Sequence, residues 1–332
     1  MNVLVTGGCG FIGSNFIRHI LNKYPHYRIV NLDALTYSGN PGNLKDLSAG
    51  DRYTFIKGRI EDTALLKGLV GDADCIVHFA AESHVDRSIV DAGPFLRTNV
   101  IGTHALLAAS KEASIKKFVH ISTDEVYGAL GDEGKFTEET ALRPNSPYAA
   151  SKASGDMLVR AYCETYKMPV ITVRPSNNYG PYQFPEKLIP LMITNLLADM
   201  PVPVYGEGLN VRDWLFVEDN CRAIDLILHK GKIGETYNVG GDSETRNIDI
   251  VRKVLDIMGK DESLITFVKD RPGHDYRYSL DISKIDRELG WTPSVWIDEG
   301  LLKTVQWYKE NEWWWGPLKE RLASESKGFW SR

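Results

Sequence analysis

The sequence predicts an α/β protein built on a doubly wound parallel β-sheet, with a smaller α/β part towards the C-terminus. Three observations predict this fold class: short apolar runs alternate with helical patterns, a glycine-rich turn follows the first run, and the composition changes after about residue 178. Strands that alternate with helices are typical of parallel sheets, because a parallel crossover needs a long connection that is usually a helix.

The predicted strands are short, largely apolar runs, which indicates burial on both faces of a sheet. Six such runs precede residue 178: Val3–Val5, Arg28–Leu32, Tyr53–Ile56, Cys75–Phe79, Lys117–Ser122 and Val170–Arg174. Helical patterns lie between them, for example at Phe11–Leu21 and at Asn99–Glu112.

The chain is expected to divide into residues 1–178 and 179–332. Prolines gather just after the division, which predicts a loop-rich second part. Residues 211–239 are expected to return to the main sheet through a helix at Cys221–Leu228 and a strand at Thr236–Val239. The tail predicts a packing helix rich in tryptophan, with Trp307, Trp313, Trp314, Trp315 and Trp330.

Composition and charge exclude several classes of protein. The 332 residues carry a net charge of −5 and no long basic run, so no nucleic-acid partner is expected. Neither an apolar run of about 20 residues nor a signal-peptide pattern occurs, so no membrane span and no export are expected. The four cysteines are widely spaced, which favours a metal-free protein in a reducing cytoplasm.

A glycine-rich turn directly after the first strand predicts a dinucleotide site of the Rossmann type. Residues 7–13 read GGCGFIG, in which Gly7, Gly10 and Gly13 allow a tight turn and a close approach of pyrophosphate. The N-terminus of the following helix supplies N–H groups to the phosphates. Asp33 follows about 20 residues later, where a carboxylate binds ribose hydroxyls and disfavours a 2′-phosphate, which predicts NAD.

Tyr148 and Lys152 stand four residues apart, which places them on one face of a helix. A neighbouring ammonium group stabilises a phenolate, so Lys152 is expected to lower the pKa of Tyr148 towards neutrality. Such a tyrosine can remove the proton of a substrate hydroxyl while hydride leaves the same carbon for a nicotinamide.

Thr123, Asp124 and Glu125 follow the fifth predicted strand, at the sheet edge where doubly wound folds bind ligands. Two adjacent carboxyl groups exceed what hydride transfer needs, but they suit a reaction with a separate acid and base, such as elimination of water. Their mutual repulsion separates their pKa values, and the sequence leaves open which one is raised. The alternative is that both cap the next turn or face solvent.

The Tyr/Lys pair behind a dinucleotide loop resembles the extended branch of the short-chain dehydrogenases/reductases, which act largely on nucleotide sugars. Nearly the whole chain resembles one family of this branch, the dTDP-glucose 4,6-dehydratases, and the Thr-Asp-Glu triplet is the most specific match. The segments that carry the resemblance are DALTYSGN at 33–40, AAESHVDRSI at 80–89, STDEVYG at 122–128, NNYGPYQ at 177–183, PEKLIP at 185–190, NVRDW at 210–214 and DRPGHD at 270–275.

The resemblance implies an NAD-dependent hydro-lyase that converts dTDP-glucose to dTDP-4-keto-6-deoxyglucose and water. Tyr148, assisted by Thr123 and Lys152, would take the proton of the C4 hydroxyl as hydride passes to NAD. The ketone acidifies C5, from which Glu125 would remove a proton while Asp124 protonates the leaving C6 hydroxyl. Hydride would then return to C6, and a proton would return to C5. A homodimer formed through a helix bundle is also implied.

The matching motifs imply binding residues as well. The cofactor-binding set is Gly7, Gly10, Phe11, Ile12, Gly13, Asp33, Ala34, Leu35, Thr36, Arg59, Ile60, Ala80, Ala81, Thr98, Tyr148, Lys152 and Asn178. The substrate-binding set is Ser83, Thr123, Asn177, Lys187, Leu188, Pro203, Tyr205, Arg212, Asn247, Arg271 and His274. Within it, Tyr205 would stack on thymine, while Arg212 and Arg271 would pair with the diphosphate.

One position departs from the family pattern. Members usually carry an acidic residue where this chain has Arg59. In those members the acidic side chain faces the adenine amino group of the cofactor. An arginine cannot replace it, because its side chain has no hydrogen-bond acceptor. Glu61 and Asp62 are the candidate substitutes. Arg59 also leaves NADP as a candidate cofactor, although Asp33 favours NAD.

Three alternatives stay open: a nucleotide-sugar 4-epimerase, a UDP-glucose 4,6-dehydratase, and a non-catalytic dinucleotide-sensing protein. The carboxyl pair argues against an epimerase. The argument against a sensor is the complete set of Thr123, Asp124, Glu125, Tyr148 and Lys152. Thymine and uracil differ by one methyl group, which a hydrophobic pocket separates only modestly.

Overall fold

The structure is a computed structural model that describes residues 1–47 and 50–329. Its strands are β1 (Asn2–Thr6), β2 (Arg28–Asp33), β3 (Tyr53–Lys57), β4 (Cys75–His78), β5 (Lys117–Ile121), β6 (Val170–Pro175), β7 (Asn177–Tyr179), β8 (Val202–Tyr205), β9 (Val211–Phe216), β10 (Thr236–Val239), β11 (Glu244–Arg246) and β12 (Ile265–Val268). The six strands predicted from the sequence all form, as β1 to β6, with ends that differ by at most one residue.

The helices are α1 (Phe11–Lys23), α2 (Thr63–Val70), α3 (Val85–Val90), α4 (Gly93–Phe95), α5 (Thr103–Glu112), α6 (Pro147–Tyr166), α7 (Leu188–Leu197), α8 (Val217–Lys230), α9 (Asn247–Met258), α10 (Ser283–Leu289), α11 (Ile297–Glu310) and α12 (Glu312–Phe329). Short 3₁₀ turns lie at Pro41–Leu44, Asp124–Tyr127 and Glu262–Leu264. Within the described ranges, no helix is long and apolar enough to cross a membrane.

Seven parallel strands form the main sheet of the described chain, in the order β10-β6-β5-β4-β1-β2-β3. Alternate residues of β1 point to opposite faces: Val3 and Val5 pack in the cluster that contains α1 and α8, whereas Leu4 packs with α2, α5 and α6. Helices therefore cover both faces, and the predicted doubly wound sheet is confirmed. The strand order reverses between β1 and β4, where this type of sheet opens a crevice for ligands.

The helix predicted over Asn99–Glu112 begins earlier than the sequence pattern suggests. The chain is helical from Gly93, where Pro94 occupies the first turn and its missing N–H costs no hydrogen bond. Residues Leu96–Gly102 then form a π-helix before the regular α-helix α5 resumes. Such wide turns are frequent at functional sites, and Thr98 in this one lines the main groove.

The C-terminal part adds two small sheets and a second core. Strands β11, β9 and β7 form one sheet, and β12 pairs with β8 in the other. Between these sheets and α7, α9, α11 and α12 lie fully buried aromatic side chains such as Tyr179 and Tyr308. Within the segment 211–239, β10 joins the main sheet beside β6 and α8 packs on α1, whereas β9 pairs with β11 and extends the small sheet.

The tryptophan-rich tail forms α11 and α12, as the predicted packing helix requires. Trp314 and Trp315 are buried, and the Trp314 ring packs on Trp307 with centroids 5.1 Å apart. Trp313 does not share this role, because it is 60% exposed on the outer side of the helix. Trp330 lies outside the described residues.

Candidate active site

A groove along the carboxyl ends of the central strands gathers most of the residues assigned to the cofactor. Those that line it are Gly7, Gly10, Phe11, Ile12, Gly13, Asp33, Ala34, Thr36, Arg59, Ile60, Ala80, Ala81, Thr98, Tyr148 and Lys152. Leu35 and Asn178 are not among its lining residues. The Leu35 N–H donates to Asp33, and the side-chain oxygen Oδ1 of Asn178 accepts from Asn220 Nδ2 at 2.8 Å. Their assignment to the cofactor stays a prediction.

The glycine turn between β1 and α1 has no space for side chains. Gly7 has a φ of +73°, and a Cβ there would lie 2.6 Å from the backbone nitrogen of Ala80. A Cβ on Gly13 would lie 2.5 Å from the Gly7 carbonyl oxygen. Gly10 precedes α1, and no side chain caps the helix. The first N–H groups of α1 are therefore free to bind an anion such as phosphate.

Asp33 ends β2 and shapes the loops on either side of it. Its Oδ1 accepts the Leu35 N–H at 2.7 Å, and its Oδ2 accepts the Cys9 N–H at 2.9 Å. Burial raises the pKa of Asp33, and these two hydrogen bonds oppose that rise. Each carboxylate oxygen has a second lone pair, so Asp33 can accept ribose hydroxyls while it holds the loops.

Tyr148 and Lys152 lie one turn apart near the start of α6, which Ser146 caps and Pro147 opens. Both side chains are buried. The Lys152 ammonium donates to the carbonyl oxygen of Ile121, the last residue of β5, at 2.7 Å. Burial lowers the pKa of Lys152 to about 8, against the opposing charge of Asp156. Lys152 is therefore a cation at neutral pH.

The expected lowering of the Tyr148 pKa is wrong for this structure. Burial raises the pKa of Tyr148 well above its usual value, and the charges of Glu125 and Asp124 raise it further. A hydrogen bond with Thr123 opposes the rise without reversing it. The sequence interpretation considered the Lys152 ammonium alone, whereas the fold also places two carboxyl groups beside the phenol. Tyr148 thus holds its proton at rest.

Asp124 and Glu125 open the 3₁₀ turn that follows β5. Thr123 caps this turn: its hydroxyl accepts the Glu125 N–H at 3.3 Å and donates to Asp124 Oδ1 at 3.2 Å. Asp124 is only 2% exposed, and its Oδ2 has no hydrogen-bond partner. Burial raises the Asp124 pKa well above the usual range, and the charges of Glu125 and Asp213 add to the effect.

Glu125 differs from its neighbour in the charges around it. Burial raises the pKa of Glu125 too, but the positive charges of Arg271, Arg212 and Lys187 oppose the rise. Asp124 has the charge of Arg212 nearby, yet the carboxylates outweigh it. The structure therefore answers what the sequence left open: Asp124 is the better proton donor, and Glu125 is the better carboxylate base.

The three cations near Glu125 come from separate parts of the chain. Arg212 on β9 donates to the carbonyl oxygens of Val211 and Asp275, at 2.8 and 3.0 Å, and lies over a tyrosine ring. Lys187 donates to the Ser83 carbonyl oxygen at 3.3 Å. Ser83 and Lys187 both line the groove, so the groove continues towards these cations.

The remaining residues assigned to the substrate are Tyr205, His274, Asn177, Asn247, Leu188 and Pro203. The ring of Tyr205, on β8, lies 6.1 Å from that of His274. Asn177 and Asn247 each bury a side-chain oxygen that has no hydrogen-bond partner. Leu188 begins α7 and Pro203 lies within β8. The structure gives these last two no polar contact that argues for a role.

Asp86 is the main residue that the sequence interpretation missed. Its carboxylate accepts from Arg271 Nη1 at 3.1 Å and from the Tyr205 hydroxyl at 3.2 Å. It thereby orients two side chains that were assigned to substrate binding. Asp86 lies within the quoted segment 80–89, but its partners are 119 and 185 residues away, so no local pattern reveals the contact.

Glu61 and Asp62, the two candidates to replace the acidic residue that is absent at Arg59, have different surroundings in the structure. The Asp62 carboxylate caps α2 and accepts the N–H groups of Ala64 and Leu65 at 3.1 and 3.0 Å. Glu61 instead lines the groove, where its Oε1 accepts no hydrogen bond. The Arg59 side chain is 57% exposed, with Nη1 3.9 Å from Glu61 Oε1.

The parallel sheet with its glycine turn, and the Tyr/Lys pair on α6, define the class as an extended short-chain dehydrogenase/reductase. A family model described as GDP-mannose 4,6 dehydratase matches residues 4–304. A curated dTDP-glucose 4,6-dehydratase of Xanthomonas campestris pv. campestris is 52% identical over 331 residues, which cover 94% of each chain. The chain belongs to the dTDP-glucose 4,6-dehydratase family.

Solved structures agree with this assignment. DesIV, a dTDP-glucose 4,6-dehydratase from Streptomyces venezuelae crystallised with NAD and TYD bound, is 52% identical, with a TM-score of 0.94. That match covers 96% of this chain and 100% of DesIV. A UDP-glucuronic acid 4-epimerase from Bacillus cereus is less similar, at 33% identity and a TM-score of 0.88, over 93% of this chain and 99% of the epimerase.

Proposed function

We propose that this chain converts dTDP-glucose to dTDP-4-keto-6-deoxyglucose and water, with NAD as a bound cofactor. The observation that carries the proposal is the pair Asp124 and Glu125, one favoured as an acid and the other as a base, in the same site as Tyr148. An epimerase that only oxidises and reduces C4 has no use for such a pair.

The groove fits a dinucleotide because Gly7 and Gly13 allow a turn too tight for a Cβ at either position, and because no side chain caps the start of α1 beside it. The residues that would hold the pyrophosphate are Gly7, Gly10 and Gly13 with the first turn of α1, and Asp33 would hold the adenosine ribose. When bound, NAD accepts hydride from C4 of the sugar and returns it to C6. Asp33 disfavours the 2′-phosphate of NADP, which supports NAD as the cofactor.

Tyr148 acts on the C4 hydroxyl in this proposal. The phenol holds its proton at rest, so it must first release that proton to water before it can accept the proton of the C4 hydroxyl. A positive charge nearby favours the phenolate that this release leaves. Lys152 supplies that charge, since it stays protonated up to about pH 8. Thr123 assists Tyr148 in this proposal, since its hydroxyl opposes the rise in the Tyr148 pKa.

Elimination of water then needs a base at C5 and an acid at C6. Once C4 is a ketone, the C5 proton is acidic, so Glu125 removes it and later gives a proton back to C5 when hydride is added at C6. The C6 hydroxyl is a poor leaving group until Asp124 gives it a proton. Burial in a site rich in carboxyl groups keeps that proton on Asp124 until the transfer.

The nucleotide part of the substrate would contact the second part of the chain. In this proposal, Arg212 and Arg271 would pair with the diphosphate, and Tyr205 would stack on the pyrimidine. We accordingly propose that residues 1–178 mainly bind NAD and residues 179–332 mainly bind the nucleotide sugar. The four cysteines are free, which supports a reducing, cytoplasmic setting.

Mass spectrometry of the products would test the proposed reaction. We expect the protein to remove one water from dTDP-glucose without accumulation of reduced nicotinamide, and to act more slowly on UDP-glucose in a parallel incubation. An isomerised sugar of unchanged mass would instead identify an epimerase. Failure to change either sugar nucleotide would contradict the proposed substrate.

We also propose a homodimer formed through α6 and the helical stretch Gly93–Glu112. These helices pack against each other, and their outer surface exposes large apolar side chains: Leu96 (51%), Ile101 (59%), Met157 (59%) and Tyr166 (52%). An apolar patch of this kind is typical of an interface. Two copies related by a twofold axis would bury this surface in a four-helix bundle.

The double variant Ile101→Arg, Met157→Arg is expected to be monomeric, because it places two unpaired charges in the proposed interface. Analytical ultracentrifugation of the wild-type protein should give twice the mass of one chain. Phe267→Arg is the control, since Phe267 is 60% exposed on β12, away from these helices. A double variant that keeps the dimer mass would rule out this interface.

A further inference from the structure

Glu61 lies in the loop after β3 and has a buried carboxylate oxygen that accepts no hydrogen bond from the described residues, although it forms a long ion pair with Arg59. Its side chain is 18% exposed and lines the groove, and its Oε1 accepts no hydrogen bond. The Arg59 guanidinium is 3.9 Å away, too far for a hydrogen bond. A buried oxygen without a donor is costly in a folded protein unless a ligand supplies that donor.

The position of Glu61 in the groove indicates which part of a dinucleotide it meets. Strand β3 pairs with β2, with Lys57 beside Asp33, and the Gly58 N–H donates to the Asp33 carbonyl oxygen at 3.0 Å. A dinucleotide with its pyrophosphate at the glycine turn and its ribose at Asp33 extends its base over the next strand, β3. Ile60 and Thr98 line the same end of the groove.

We propose that Glu61 accepts a hydrogen bond from the 6-amino group of the cofactor's adenine and thereby selects a 6-aminopurine. This inference rests on the proposed use of NAD. The neighbouring acidic groups have other roles: Asp62 caps α2, and the Thr36 hydroxyl opposes the rise that burial causes in the pKa of Glu82. Arg59 has no acceptor atom and points largely into solvent. Glu61 therefore provides the free acceptor at this end of the groove.

The test compares NAD with nicotinamide purine dinucleotide, an analogue that lacks only the 6-amino group. Calorimetric titration of dinucleotide-free protein should give about 10- to 100-fold tighter binding of NAD, as expected for a hydrogen bond to a charged group. Glu61→Ala should bind both dinucleotides with the weaker affinity. Glu61→Gln keeps an acceptor oxygen and should retain part of the preference.

Asp62→Asn is the matched control, because it removes the adjacent charge but keeps an N-cap residue for α2. It should discriminate between the two dinucleotides as well as the wild-type protein does. Equal affinity of the wild-type protein for both dinucleotides would overturn the proposal, and so would a Glu61→Ala variant that keeps the preference. The titrations contain no sugar nucleotide, so their outcome is independent of whether the chain dehydrates dTDP-glucose.

Discussion

Glu125→Gln is expected to lower the rate of dehydration by about 10²- to 10⁴-fold, which is the usual contribution of a general base. The amide cannot take the C5 proton, so the reaction should stop after C4 is oxidised. A single turnover with excess enzyme should then show the absorbance of reduced nicotinamide persisting instead of decaying. Stopped-flow absorbance and product analysis would measure the two steps separately.

Asp124→Asn provides a contrast, since it removes the acid and leaves the base. This variant should also fail to release water, but Glu125 can still remove and return the C5 proton. In deuterated water we therefore expect Asp124→Asn to exchange hydrogen for deuterium at C5, and Glu125→Gln not to. Nuclear magnetic resonance of the recovered sugar nucleotide would measure this exchange.

Glu139→Gln is the control for the change of charge, because Glu139 is exposed on the loop before α6. It should dehydrate dTDP-glucose at the wild-type rate. Thermal unfolding of each variant would check that the site still folds. Full dehydration by Glu125→Gln, or C5 exchange that survives in it, would remove Glu125 from the role of base.

The elements that carry the site could be predicted because their signals are local. Val3–Val5 followed by Gly7, Gly10 and Gly13 specifies a strand, a tight turn and a helix within a few residues of one another. Thr123, Asp124 and Glu125 follow a strand directly, so the position of the strand end places them. The start of the helix at Gly93 was missed because the π-helical stretch breaks the regular spacing of apolar residues.

Features that depend on distant parts of the chain could not be predicted from local patterns. The hydrogen bonds that Asp86 accepts from Tyr205 and Arg271 require β8 and the segment after β12 to lie beside α3. The raised pKa of Tyr148 depends on burial and on carboxyl groups more than 20 residues away. The sequence also offers no reason to prefer Glu61 over Asp62 as the acceptor for adenine. The structure distinguishes them, because the Asp62 carboxylate caps α2.

Tyr148→Phe is expected to block the first step rather than the second. Without the phenol, the C4 hydroxyl has no proton acceptor, so oxidation at C4 should slow by about 10²- to 10⁴-fold. In a single turnover, Tyr148→Phe should form neither reduced nicotinamide nor product. Glu125→Gln should instead accumulate reduced nicotinamide. Tyr166→Phe on the same helix removes a hydroxyl but keeps the ring that the proposed dimer interface would bury, so it should behave as the wild-type protein does.

The pH dependence of the same step tests how Lys152 supports Tyr148. The pKa of Lys152 is about 8, so its charge is complete below that pH and is lost as the pH rises through it. Tyr148 titrates at a much higher pH, so the rate of C4 oxidation should rise with pH up to about pH 8 as more phenolate forms beside charged Lys152. Above that pH, the loss of the Lys152 charge should cancel the gain in phenolate, and the rate should level off. Lys152→Arg keeps the charge at all these pH values, so the rate of a folded variant should continue to rise above pH 8. A rate that levels off near pH 8 in Lys152→Arg as well would assign the change to another group and contradict the proposed role of Lys152.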